Sequence, residues 1–383
     1  MPLAAREFRA LGYRSLKSIA YPMSGLDVFV GANGVGKTNL YPALELLQSA
    51  ARNTLAEDLA REGGLKLALW AGPRRSKDQP ELKLEVGLAD PDHHPTGSVY
   101  KYEVTVGYPA KTSGAFEYEP QIKDETLSHV GGKRPYPLVE RRNQMVKARD
   151  DDGGWGAIDI DLLASETVLG RLEDPARYPE LDAIRRTLLQ WRFYHSLRTD
   201  PASPLRRPCP AAAAPTLVSD GSNLAAVFAT LWDIVGDMTD LRRAVDAAFP
   251  GARLRPAVDE RWERFAMVFP EFPNREFDAE ELSDGALRFL ALAGALLAYR
   301  LPPFIALNEP EASLHPDLMA PLAGLIARAA ERTQLWLVTH STALAEAVAA
   351  QGAGKVRTVL KEEGETRIAG LRRWGEFEEA GEG

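Results

Sequence analysis

Cysteine is nearly absent: Cys209 stands alone in 383 residues, which rules out an intrachain disulfide and a cysteine-based metal site and fits a reducing cytosol. Long apolar runs are missing too. The longest, Phe289 to Tyr299, is too short to span a bilayer. Met1 to Leu16 carries scattered arginines and no apolar core of a signal peptide. The expectation is a soluble, cytoplasmic protein with no membrane contact. Positive charge is also not in excess. The net charge of −8 excludes a surface that is cationic overall, as a general nucleic-acid or anionic-lipid binder would have. Two local basic groups, Arg74/Arg75/Lys77 and Arg141/Arg142/Lys147/Arg149, read as solvated loop charge. Internal repeats are absent, and the one biased tract, Pro208 to Pro215, reads as a surface loop or hinge.

What the chain does contain is Gly31-Ala-Asn-Gly-Val-Gly-Lys-Thr38, a match to G-x-x-x-x-G-K-[ST]. It follows the apolar run Leu26 to Val30, which reads as a buried strand, and precedes Asn39 to Ala51, which reads as a helix. In such a loop Gly34 and Gly36 let backbone amides turn inward on an anion, and the helix start adds unpaired N–H groups. Asn33, Gly34, Gly36, Lys37, Thr38 and Asn39 are therefore the candidate nucleotide-binding residues. Lys37 would reach the β- and γ-phosphates, and the Thr38 hydroxyl would ligate Mg²⁺. A nucleoside triphosphate is the expected ligand. Pro42 predicts a distorted first turn in the helix, because it lacks a donor and crowds the carbonyl of Thr38.

Further along, Glu81 to Val86, Val99 to Val106 and Phe116 to Ile122 alternate apolar and polar residues and read as half-exposed strands of an antiparallel layer. Helical periodicity appears over Ile158 to Ser196 and Asn223 to Phe249. In the second stretch Leu224, Val227, Phe228, Leu231, Ile234 and Val235 share one face. Frequent prolines exclude a long coiled-coil arm there. The C-terminal third reads as helix Gly285 to Tyr299, strand Phe304 to Leu307, helix Pro316 to Ala330 and strand Leu335 to Thr339. Such doubly apolar strands between helices argue for a mostly parallel sheet covered on both faces. The expected organisation is an N-terminal lobe (1–150), a mainly helical insert (151–275) and a C-terminal lobe (276–383), together forming one composite domain.

Three more segments carry chemistry. Pro303-Phe-Ile-Ala-Leu-Asn-Glu-Pro-Glu311 puts an acidic tip at the end of a buried strand, where open α/β sheets bind ligands. Leu337-Val-Thr-His-Ser341 puts a histidine at the end of another. Glu281-Leu-Ser-Asp-Gly-Ala-Leu-Arg288 places Ser283 and Gly285 just before a helix. With the phosphate loop, these four motifs in this order resemble an ATP-binding-cassette ATPase head of the branch related to SMC, RecF and OLD-type proteins. The resemblance implies an α/β P-loop NTPase with a mixed central sheet, an antiparallel β subdomain and a helical insert. It also implies ATP and Mg²⁺ as ligands, and a head-to-head homodimer in which Ser283 and Gly285 face the nucleotide held by the other copy. Glu309 falls at the catalytic carboxylate, His340 at the switch histidine, and Lys37 acts at the phosphates. Asn308 stands where the pattern usually has the acid that holds Mg²⁺ through water. Asp284 and Ala286 also depart from the familiar signature.

Plainer readings stay open beside these. Ser283 has the place of a helix cap, Glu311 that of a surface carboxylate, and His315 that of a dimer contact or local structure. Gln48 and Gln79 are the candidates for the inter-lobe glutamine, and Arg14 and Ser15 for an approach to the nucleotide. The function expected first is ATP hydrolysis driving a conformational switch, with a protein or DNA partner, in a DNA-related or defence process. A nucleotide-binding module with little hydrolysis, because of Asn308, is the alternative. A transporter subunit is the third reading.

Overall fold

The computed structural model describes residues 2–73, 80–92, 98–109, 116–131, 135–149, 153–195, 197–259 and 261–378. Gln79, Ser196 and the Arg74/Arg75/Lys77 group lie outside the described residues. The chain divides into two compact units, one of residues 1–24, 31–191 and 357–383, the other of residues 25–30 and 192–356.

The first unit is built on an antiparallel sheet of eight strands. In chain order they are β1 (Ala4–Tyr13), β2 (Leu16–Pro22), then, after β3 (Leu26–Val30) of the second unit, β4 (Glu81–Ala89), β5 (Tyr100–Gly107), β6 (Gln121–His129), β7 (Tyr136–Arg142), β8 (Met145–Arg149) and β9 (Trp155–Ala157). Their spatial order is β2-β1-β4-β5-β6-β7-β8-β9. Period-two burial drives the pairing: Leu82, Leu84 and Val86 face one side opposite Val106, Val104 and Tyr102. Helices α1 (Leu40–Arg52), α2 (Leu55–Arg61), α3 (Leu65–Ala68), α4 (Val168–Arg171) and α5 (Pro179–Gln190) complete the unit, with a hairpin of strands Lys355–Glu362 and Glu365–Ile368.

Several sequence expectations shift here. Phe116 to Ile122 is not a strand: Phe116 and Tyr118 are exposed, and the ladder starts at Gln121, just past Pro120, which has no N–H to give it. Arg141 is not solvated loop charge. It is buried in β7, and its guanidinium donates to the carbonyls of Asn143, Leu163 and Glu166. Of the stretch from Ile158 to Ser196 that reads as helical, the described residues form helix only in α4 and α5, and Arg192–Tyr194 is a strand. At Pro42 the expected disturbance is a 3₁₀ turn at Lys37–Asn39, and α1 starts only at Leu40. Pro42 then sits in the first turn of α1, where N–H groups have no helical acceptor anyway.

The second unit holds β3 beside β10 (Arg192–Tyr194), β15 and β16, once the strands β11 (Cys209–Pro210), β12 (Arg253–Asp259), β13 (Trp262–Val268), β14 (Phe277–Asp278), β15 (Phe304–Asn308) and β16 (Gln334–Thr339) are counted along the chain. The order β10-β15-β16-β3 is parallel throughout, with Leu307 opposite Leu337 and Thr339 opposite Val30. Both faces are apolar, as a covered parallel sheet requires. The covering helices are α6 (Leu224–Ala229), α7 (Thr239–Ala248), α8 (Asp284–Leu297), α9 (Met319–Ala330) and α10 (Thr342–Ala350). From Ala286 to Leu297 every residue of α8 except Arg288 is buried, so its carbonyl ladder runs through the core of the unit.

Residues 151–275, expected to be mainly helical, therefore alternate short helices with strands. Cys209 and Pro210 pair with β13, so this tract is not simply a surface loop. Ile234 is exposed, off the expected buried face. The cause is local: Thr230–Val235 form a π-helix, whose wider turn slips the phase by one residue. The longest helix among the described residues, α8, has 14 residues, and none is long and apolar enough to cross a membrane.

Candidate functional site

In the first unit the phosphate-type loop begins one residue past β3. Gly34 (φ 78°) and Gly36 (φ 85°) hold left-handed backbone. A Cβ on Gly36 would lie 2.1 Å from Thr366 Oγ1 and 2.3 Å from Ser15 Oγ, whereas one on Gly34 would meet nothing within 4 Å. Those hydroxyls form a relay. Asn39 Nδ2 donates to Ser15 Oγ (2.6 Å), and Thr366 Oγ1 donates to the Val35 carbonyl (2.8 Å). Ser15 must then donate across the 2.6 Å contact to Thr366. The loop is thereby tied to β1–β2 and to the C-terminal hairpin. Lys37 is 2% exposed, with Nζ donating to the carbonyls of Gly31 (2.9 Å) and Ala32 (3.2 Å), while Thr38 is exposed.

Three early candidates have structural partners. Ser15 belongs to the relay. Arg14 pairs with Glu62 at 2.6 Å. Gln48 is buried and donates to the carbonyls of Leu188 and Trp191, both at 2.8 Å, so it ties α1 to the end of α5 and is not a free loop glutamine.

In the second unit, register brings Val30, Asn308 and Thr339 to one edge of the parallel sheet, the carboxyl ends of β3, β15 and β16. This is the edge at which open α/β sheets bind ligands. Just beyond it, Glu309 adopts φ 50°, a left-handed conformation that costs a non-glycine residue about 1 kcal/mol. Its N–H donates to the Val338 carbonyl (2.8 Å), and its Oε1 lies 2.5 Å from His340 Nε2. Glu311 is not a surface carboxylate. Its Oε1 accepts from Thr339 Oγ1 (2.6 Å), His340 N (2.9 Å) and Ser341 N (3.2 Å), fastening the turn after β15 to the end of β16. Sequence reading had no signal for this beyond the second acid of Glu-Pro-Glu.

Ser283 does cap α8, its Oγ accepting from Ala286 N at 3.3 Å, and it stays exposed beside half-buried Gly285. Asp284, the departure from the familiar signature, has a partner. Arg206 is buried, donates to the carbonyls of Thr199, Ala279, Glu280 and Leu282, and places NH2 2.7 Å from Asp284 Oδ1. The segment before α8 is thus held by one guanidinium. A second, Arg288, donates to the carbonyls of Pro310 (3.2 Å), Leu197 (3.3 Å) and Glu309 (3.1 Å). Burial pushes its pKa down, while the charges of Glu311 and Glu309 pull it up. His315 caps the turn at Pro316 and is exposed.

The Asn308 side chain bears on a metal. Its Oδ1 is buried and has no hydrogen-bond partner among the described residues, as does Glu311 Oε2. A buried acceptor without a donor fits a water that a hydrated cation would bring. No group of three His, Cys, Asp or Glu able to hold a metal occurs among the described residues. Oxygen donors this sparse suit Mg²⁺, which keeps its waters and arrives with phosphates.

Residues 28–346 match the family described as "AAA domain, putative AbiEii toxin, Type IV TA system". The chain belongs to this AAA-domain family. Among solved structures, an Smc head bound to the C-winged helix domain of ScpA superposes with a TM-score of 0.52 at 14% identity, over 96% of this chain and 97% of that one. The Pyrococcus furiosus Smc head with an extended coiled coil, bound to the C-terminal domain of ScpA, gives 0.52 at 13% identity over 96% of each. At such identities the likeness is one of fold. The AAA-domain protein has the mixed α/β fold of SMC-head P-loop ATPases. Comparison with curated proteins finds no match.

Proposed function

We propose that this AAA-domain protein binds ATP with Mg²⁺, pairs head to head with a second copy, and hydrolyses the nucleotide to release the pair. The observation that carries the reading is the Glu309–His340 pair at the carboxyl edge of β15 and β16, on the same sheet edge from which β3 leads into the phosphate loop. Glu309 polarises the attacking water, and His340 holds that carboxylate in place and reads the γ-phosphate. Lys37 leaves its two loop carbonyls for the phosphates, and the amides of Asn33 to Gly36, with Asn39 at the helix start, cradle them. Thr38 would be the direct ligand of Mg²⁺, which would neutralise phosphate charge, and Asn308, by its buried unpartnered Oδ1, is a candidate acceptor for a metal-bound water. Ser283 and Gly285 complete the site of the opposing copy.

Glu309→Gln tests this. Hydrolysis should fall by about 10²–10⁴-fold, the usual worth of a general base, with ATP binding kept and the dimer accumulating in light scattering. Wild-type turnover in that variant sinks the assignment. A second reading, slow turnover, is favoured by the neutral amide of Asn308. The protein or DNA partner and a defence role are inferred from the family alone, with the helices and strands between β10 and α8 as the coupling element. Co-purification with ATP-locked Glu309→Gln tests both.

A further inference from the structure

Arg288 joins two parts of the molecule that the proposed mechanism assigns to different active sites. It lies on the first turns of α8, five residues beyond Ser283, and its guanidinium reaches the carbonyls of Glu309 and Pro310, and of Leu197 behind β10. Ser283 and Gly285 at the start of the same helix are exposed or half-buried, whereas Leu287, Phe289 and Leu290 are fully buried. The helix therefore moves as a packed rod, and displacing its start displaces Arg288.

The turn that Arg288 grips is strained and narrowly held. Glu309 at φ 50° depends on bonds around it to stay left-handed: its own N–H to Val338, the grip of Arg288 on its carbonyl, and the three bonds that Glu311 accepts from the end of β16. Of these, only Arg288 comes from α8. Its five donors in a rigid plane suit three carbonyls in a way an ammonium does not. A shift of this turn moves Glu309 Oε1 relative to His340, and misplacement of about 1 Å costs up to about 10²-fold in rate.

We infer that Arg288 is a positioning residue that couples the two nucleotide sites of the head-to-head pair: engagement of α8 by the nucleotide on the opposing copy is passed through its guanidinium to the Glu309 turn of its own copy. The inference rests on the two-site reading above. It assigns Arg288 no contact with nucleotide.

The test compares full-length wild type, Arg288→Lys and Arg288→Gln in steady-state ATP hydrolysis, equilibrium binding of a fluorescent ATP analogue, and thermal unfolding. Wild type should hydrolyse with a Hill coefficient above 1. Both variants should lose about 10–10²-fold in kcat, bind the analogue within twofold of wild type, and show a Hill coefficient of 1, with Lys as damaged as Gln because the carbonyl fork and not the charge is at work. A non-cooperative wild type, or variants that stay cooperative, overturns the inference. So does a loss of binding and thermal stability in Arg288→Lys that parallels the loss of rate, since that marks a general structural role. Glu309→Gln run alongside separates the two levels. If it hydrolyses normally, the hydrolytic reading fails; if it is inactive while the Arg288 variants behave as wild type, the coupling alone fails.

Discussion

Two loop glycines, Gly34 and Gly36, provide a graded perturbation of the phosphate loop. Both hold positive φ, so alanine at either position carries the left-handed cost of about 1–2 kcal/mol. They differ in what a Cβ meets. Gly34 is open, whereas at Gly36 the new atom falls on the hydroxyls of Thr366 and Ser15. Making room breaks the Asn39–Ser15–Thr366–Val35 relay, three hydrogen bonds with a net worth of about 1 kcal/mol each. Gly34→Ala should then cost about 1–2 kcal/mol, and Gly36→Ala about 4–5. For a unit of about 200 residues, 1 kcal/mol lowers Tm by about 2–4 °C, so calorimetry of nucleotide-free protein separates the variants clearly. Gly36→Ala should also abolish binding of a fluorescent ATP analogue, because the loop cannot keep its shape. Equal destabilisation by the two substitutions would refute the argument, since strain alone, and not the relay, would then account for both.

Asn308→Asp replaces a neutral acceptor with a charged one for the Mg²⁺ water, a gain of about 1 kcal/mol that corresponds to roughly five- to tenfold in turnover. A variant with unchanged kcat and unchanged Mg²⁺ half-saturation contradicts the proposal that Asn308 holds the Mg²⁺ water and slows turnover. In the first unit, burial pushes the Glu125 carboxyl above its ordinary 4.5, offset in part by bonds from Leu169 N, Val168 N and Tyr102. The folded chain then holds a proton that the unfolded chain has released, so this group's contribution to stability is fullest below pH 4.5 and declines as pH rises through the raised value. Glu125→Gln should flatten that stretch of the stability profile in urea titrations. Profiles that stay parallel from pH 4 to 8 contradict the burial argument.

Much of the site was legible because its motifs are local. The Gly-rich loop needs only its own glycines and the helix that follows, and Ser283 meets the α8 backbone three residues on. The pairing of Glu309 with His340 was not legible in this way, since 31 positions separate them and only the adjacency of β15 and β16 brings them together. The partners of Arg206 and Arg288 were not legible for the same reason: their targets are mostly carbonyls, which carry no sequence signature. The misplaced Ile234 shows a subtler limit. Helical periodicity assumes 3.6 residues per turn, and the π-helix at Thr230–Val235 shifts the phase.

The sequence by itself determined the glycine-rich loop between a strand and a helix, the α/β class and the order of the four motifs, because glycine conformational freedom, strand apolarity and helix starts depend on near neighbours. Only the tertiary structure decided that Asp284 has Arg206 as its partner, that Glu311 is a fastener between two strand ends, and that Gln48 and Arg14 have partners on other elements. Each of these rests on groups brought together from distant parts of the chain by burial, where an unpaired charge or carbonyl is costly and a partner must be found in space.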